Sequence, residues 1–208
     1  MASAPRPQRK ARDAYHHGNL RQALIDQAVQ TIRKHGVEGL TLRGVGADLR
    51  VSRTALYRHF PDKHALLAAV ATEGFRSFRV ALVAAWESGG RGREGFAAMG
   101  MAYVRFAASN PSHYRVMFGG FLDRAGAEAE VATAGAEAFQ VLLDAITEQQ
   151  AQGLIRTENP LLLAQYIWAV VHGIAMLVID GRLHGAQTGE QLSTLAMARL
   201  RTGIDPDA

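Results

Sequence analysis

No cysteine occurs among the 208 residues, so neither a disulfide frame nor a thiolate metal site can be built. That fits a reducing cytoplasm, where we expect the chain to reside. We read no apolar run approaching the roughly 18 residues of a membrane span. The basic N-terminus is followed by polar residues rather than the apolar core of a secretion signal. Strand-like alternation and internal repeats are missing too, which points to an all-α chain. There is no P-loop, no Gly-x-Ser-x-Gly and no His-Glu-x-x-His. A helical enzyme is therefore only a remote reading, with no catalytic residue to nominate. His16 and His17 are adjacent, so they do not share a helix face. We expect no metal and no cofactor.

Positive charge is unevenly spread. Of the 23 Lys/Arg and 19 Asp/Glu residues, 12 and 5 respectively stand at or before Lys63. The first part of the chain thus carries +7 and the remainder −3. A basic head on a slightly acidic body is the footprint of a nucleic-acid-binding protein. Part of the excess is a tail: Arg6, Arg9, Lys10 and Arg12 precede any periodic pattern. We expect residues 1–17 to be a disordered basic tail, able to add phosphate or minor-groove contacts.

The periodicity predicts helices in succession. Leu20, Leu24, Ala28 and Ile32 mark the first, capped by Gly18 or Asn19 and stopped by Gly36. Leu42, Val45 and Leu49 mark the second, with Thr41 as cap. Ser52 caps the third, which Phe60-Pro61 ends, because a residue before proline is pushed out of the helical region. Asp62 then caps a long helix that ends near Gly89-Gly90. Further helices are expected over about 93–109, 112–117, 136–152, 160–184 and 189–202. Residues 123–135, rich in Ala and Gly, read as a loop or a mobile helix start of the kind that gates a pocket.

The third helix has only about two turns and is too short to stand alone. Leu56 and Phe60 anchor one face. Arg53, Thr54, Tyr57 and Arg58 occupy the other, with no carboxylate among them. Arginine can grip guanine O6 and N7 together, and hydroxyls reach bases or phosphates. Two short helices and a tight turn make a helix-turn-helix, whose second helix enters the major groove. An ordinary helical corner with solvated arginines is the bland alternative.

The run Gly36-Val37-Glu38-Gly39-Leu40-Thr41-Leu42-Arg43, followed by Val51-Ser52 and Thr54-Ala55-Leu56-Tyr57-Arg58-His59-Phe60-Pro61-Asp62-Lys63, resembles the N-terminal domain of the TetR family. Two positions depart from the family pattern. Arg50 stands at a turn that usually holds Gly, and Val45-Gly46 stands in place of Ile-Ala. Non-glycine residues seldom take positive φ. The resemblance implies a dimeric all-helical repressor, with a DNA-binding domain over 18–63 and a ligand-binding and dimerisation domain over 64–208. On this reading Arg43, Arg53, Thr54, Tyr57 and Arg58 face bases, while Thr41, His59 and Lys63 hold phosphates.

In the body, the stretch from Pro160 is apolar on nearly all sides, which marks a buried helix. A chain of this size cannot cover it alone, so a second subunit is the economical explanation. The interface is expected to use Tyr166, Val170, Ile174, Leu177, Leu192, Leu195 and Leu200. Trp168 and Val171-His172-Gly173, with Tyr15-His16-His17-Gly18 and Asn110-Pro111-Ser112-His113-Tyr114, resemble the TetR subgroup with a Trp-His-Gly C-terminal domain. The family resemblance also implies a small-molecule effector. Candidate cavity walls are Phe75, Met99, Tyr103, Phe106, Tyr114, Met117, Phe118, Phe139, Leu143 and Trp168. Arg105, His113 and His172 are the polar candidates. Aromatic residues at helical spacing are core by default, and a lone histidine is more often a satisfied core group than a ligand contact. The expected partners are thus operator DNA, an effector and a second copy of the chain. The alternative is an effector-independent or architectural DNA-binding protein, which needs no cavity.

Overall fold

The structure, a computed structural model, describes residues 20–122, 129–184 and 188–204, and every regular element among them is a helix. In chain order these are α1 Leu20–His35, α2 Leu42–Asp48, α3 Arg53–His59, α4 Lys63–Ser88, α5 Arg93–Ser109, α6 Pro111–Phe118, α7 Ala129–Ala151, α8 Pro160–Ile179 and α9 Gly189–Ile204. The all-α architecture expected from the sequence is thereby established. The basic tail, His16-His17 and the proposed caps Gly18 and Asn19 lie outside the described residues.

Three side chains set the starts of the helices in the head. Thr41 Oγ1 accepts from the Gly44 amide at 3.0 Å, Ser52 Oγ from Ala55 at 3.2 Å, and Asp62 Oδ1 from Ala65 at 2.8 Å. Each satisfies an amide that the first turn leaves without a partner. Leu24, Ile25, Ala28 and Ile32 of α1 pack with Val45 of α2, Leu56 and Phe60 of α3, and Leu66 of α4 in a closed core. The Arg21 guanidinium also lies 5.3 Å from the centroid of the Phe60 ring.

α4 is 26 residues long and belongs to both halves. Its first turns complete the head, and the rest packs against α5, α6 and α7. The turn into α5 is held at both ends. A Cβ on Gly89 would overlap the backbone of Gly95, so the two helix ends meet backbone to backbone. Arg91 then grips Glu148 of α7 with two hydrogen bonds, Nη2 to Oε2 at 2.7 Å and Nε to Oε1 at 3.3 Å.

The body differs from the sequence reading in three places. α7 starts at Ala129, so of the two readings of residues 123–135, a loop or a helix start, the described part from 129 on is helix; Ala and Glu favour the helix there despite weak apolar patterning. Residues 123–128 of that stretch are outside the described set. α8 ends at Ile179 rather than near 184, because Gly181 at φ 63° and Arg182 close a reverse turn onto Val178 and Leu177. α8 is also long and apolar enough to cross a membrane, with 20 residues at a mean hydropathy of 2.0, so the reading that no such run exists is corrected. It packs instead on α5, α7 and α9, burying Leu163, Ala164, Ile167, Val171, Ile174 and Ala175.

Candidate nucleic-acid interface and body cavity

The geometry of α3 follows from its two ends. Ser52 starts it, and Phe60, in extended backbone at φ −137°, ends it. With Leu56 and Phe60 buried, Arg53, Thr54, Tyr57 and Arg58 are left exposed on one side of the helix, and His59 is exposed beside them at its end. Arg43 and Thr41 are exposed on α2 and at its cap. Among the described residues none of Arg43, Arg53 or Arg58 has a carboxylate or carbonyl partner. Three guanidiniums without such partners among the described residues are therefore exposed on the two helices of the helix-turn-helix.

The turn between α2 and α3 resolves the departure at Arg50. Arg50 has φ 54°, the left-handed conformation for which glycine is usual. Its amide bonds to the carbonyl of Ala47 at 3.0 Å, and the Val51 amide to that of Gly46 at 3.0 Å. This paired closure caps α2 and sets the angle at which α3 leaves. Arginine here satisfies the same geometry as glycine, at a conformational cost.

Lys63 does not sit with the free groups. Its Nζ donates to the carbonyl of Val37 at 2.8 Å, and the side chain is partly buried. It ties the loop between α1 and α2 to the start of α4, which is a structural use that sequence spacing did not disclose.

In the body a cavity of about 370 Å³ opens between α4, α5, α7 and α8. Phe75, Met99, Tyr103, Phe118, Phe139 and Trp168 line it, as expected from the sequence. Phe106, Tyr114, Met117, Leu143 and His172 do not. Phe106 is core, its ring 5.1 Å from that of Phe78. On α7 the residue facing the space is Leu142 rather than its neighbour Leu143. Met117 and His172 line a second, more polar hollow, with Phe118, Gln165 and Trp168 shared between the two. The sequence reading missed Phe78, Leu82, Phe96 and Met197, and also the small residues Gly100, Gly135 and Ala138, of which Gly100 makes room for the Met197 side chain. Of the polar candidates, Arg105 is exposed away from the cavity and His113 faces Glu73 at 3.7 Å.

Behind the wall lies a hydrogen-bonded cluster. Trp168 Nε1 donates to Tyr103 Oη at 2.9 Å, and the Tyr114 hydroxyl lies 2.7 Å from His172 Nδ1 and 3.0 Å from Tyr103 Oη. Burial pushes the Tyr103 phenol up to about 12 and raises Tyr114 as well. Burial also lowers His172, so near neutral pH all of these groups are uncharged. His172 is only partly buried and lines the second hollow, and its Nδ1 lies 3.1 Å from the Tyr103 hydroxyl, whose ring forms part of the wall.

The intended interface residues divide. Tyr166 (56% exposed), Leu177 and Leu195 (53% exposed) face outward, together with Leu161 and Leu162. Val170 and Leu192 are half-buried. Ile174 and Leu200 are only 6% exposed within a single chain, so they belong to its own core rather than to an outer face.

Residues 24–70 match the family described as bacterial regulatory proteins, tetR family, and residues 96–200 match the tetracyclin repressor-like C-terminal domain. The fold is similar to that of a protein of unknown function from Rhodococcus sp. RHA1, with a TM-score of 0.84 and 36% identity. That likeness covers 92% of this chain and 98% of the other. An uncharacterised HTH-type transcriptional regulator of Mycobacterium tuberculosis (strain CDC 1551 / Oshkosh) is 32% identical over 108 residues, 51% of this chain and 46% of that one. The chain thus spans about half the length of the curated relative it matches there. The tetracycline repressor protein class D of Escherichia coli is 38% identical over 53 residues, 26% of this chain and 24% of that one.

Proposed function

This chain belongs to the tetR family of bacterial regulatory proteins, DNA-binding regulators and not enzymes, and on that premise we propose a ligand-responsive repressor acting as a homodimer in the cytoplasm. The observation that carries the reading is the unpaired basic face of α3. Arg53, Thr54, Tyr57 and Arg58, with Arg43, read base edges in the major groove, while Thr41 and His59 meet phosphates. Lys63, committed to the Val37 carbonyl, adds its charge to the phosphate side and holds the head in shape. A two-fold arrangement of heads reads a pseudo-palindromic site, and the exposed apolar residues of α8 and α9 supply the contact between copies.

The body supports a switch because one helix touches both ends of it. α6 presents Phe118 to the cavity and packs on α1 and α4. Glu73 of α4 accepts from Gln22 of α1 at 2.8 Å and faces His113 of α6 at 3.7 Å. A ligand that shifts α6 therefore shifts the frame on which the head rests. Such a ligand lowers operator affinity only by as much as it prefers the non-binding arrangement.

Gel-shift titration against the DNA flanking the chain's own gene, at two salt concentrations, tests the proposal. Tight binding to a short two-fold-symmetric site near physiological salt is expected. Equal, salt-sensitive binding to any fragment would leave only a sequence-independent role.

A further inference from the structure

The cavity walls decide what kind of molecule can enter. Of the side chains that line it, none is charged. Phe75, Phe78, Phe118 and Trp168 supply ring faces and edges, and Met99 and Met197 supply soft, adaptable surface. The polar atoms at the wall are already spoken for. Tyr103 Oη receives the Trp168 indole and meets Tyr114 and His172, so it offers a ligand little. The lining residue with no hydrogen-bond partner among the described residues is Gln165, which is exposed at the rim where the cavity meets the second hollow.

A carboxylate or ammonium placed among these side chains would lose hydration and find no countercharge. A dry cavity of roughly 150 Å³ already accepts benzene. The space here, about 370 Å³, has room for two rings. Resting on the ligand-responsive reading above, we propose that the cavity takes an uncharged, two-ring-sized apolar molecule with one hydroxyl or carbonyl directed at Gln165.

Isothermal titration calorimetry of the full chain with naphthalene, naphthol, naphthoate and naphthylmethylammonium tests this. Naphthol is expected to bind at least tenfold more tightly than either ion. Gln165→Leu should weaken naphthol by about tenfold at most, the worth of one hydrogen bond, and leave naphthalene unchanged. Gly135→Leu provides a second, independent variant. A Cβ at Gly135 would stand 3.6 Å from the Phe75 ring, in ordinary contact, so the larger side chain is directed at a ring of the cavity wall. It should abolish binding of naphthol while circular dichroism and DNA binding persist. An ion binding as tightly as naphthol, or naphthol binding undiminished in Gly135→Leu, would overturn the assignment. Binding by none of the four compounds would overturn the assignment and leave the ligand-responsive reading standing, whereas failure of that reading would show as tight naphthol binding with no change in operator affinity.

Discussion

Arg50 takes its backbone conformation from the turn it closes rather than from its own side chain. A left-handed L-residue costs roughly 1–2 kcal/mol, and glycine gives back about 0.4–1 kcal/mol through its freer unfolded state. Arg50→Gly should therefore stabilise the protein by roughly 0.5 kcal/mol and raise its melting temperature slightly; an unchanged or lower midpoint in thermal denaturation would mean that the turn carries no strain. At Arg53 the question is recognition. If this guanidinium takes a guanine, Arg53→Ala should cost about 1–3 kcal/mol at one base pair and relax the preference there. Competition gel shifts with every base at each operator position would reveal that loss, and an unaltered preference would remove Arg53 from the reading face. Both positions were legible in the chain: Arg50 as a departure from the family's glycine, Arg53 from its offset to Leu56. Lys63 was not, because its partner is the carbonyl of Val37, and a backbone atom leaves no trace in a pattern of side chains.

Among the elements, those with a hard stop were read correctly. α3 runs from Ser52 to Phe60 because a hydroxyl cap and a proline bracket it. α7 was read too short because alanine stabilises a helix without marking a face. α8 was read as one apolar rod, whereas Ile167, Val171 and Ile174 turn inward and Leu162, Tyr166 and Leu177 outward. That division makes a sharp prediction. Tyr166→Glu combined with Leu195→Glu should convert the proposed dimer to folded monomers, seen by analytical ultracentrifugation with an unchanged circular dichroism spectrum. Ile174→Ala, which opens a hole in a packed core, should instead cost about 2–5 kcal/mol in urea unfolding. Sedimentation of the double mutant as a dimer would place the interface elsewhere.

At the scale of the whole molecule, stability should depend on acidity. Burial lowers the imidazole of His172, and lowers that of His113 against the opposing pull of Glu73. A histidine with a depressed native pKa binds its proton more readily when unfolded. Its contribution is present above the unfolded value, about 6.5, and is lost as the pH falls below that. Urea midpoints should drop between about pH 7 and about pH 5.5, and the drop should shrink in the His113→Gln/His172→Gln double variant. A flat profile in the native protein would count against both burials. The cavity itself was only half legible in the chain, since which of Leu142 and Leu143 faces it depends on how α7 is rolled against α4. Spacing outlined the walls; the glycines and alanine among them carry no signal except smallness.

The two tryptophans stand in contrasting places. Trp86 is buried near the end of α4, and Trp168 forms part of the cavity wall, with its indole hydrogen tethered to Tyr103. A chain in which Trp86 is replaced by phenylalanine would glow from the wall alone. Any molecule that settles beside that ring, or loosens its tether, would then change the colour or brightness of the light without a dye, a label or a strand of DNA. The protein carries its own optical gauge of occupancy, and the proposed effector can be sought by that signal alone.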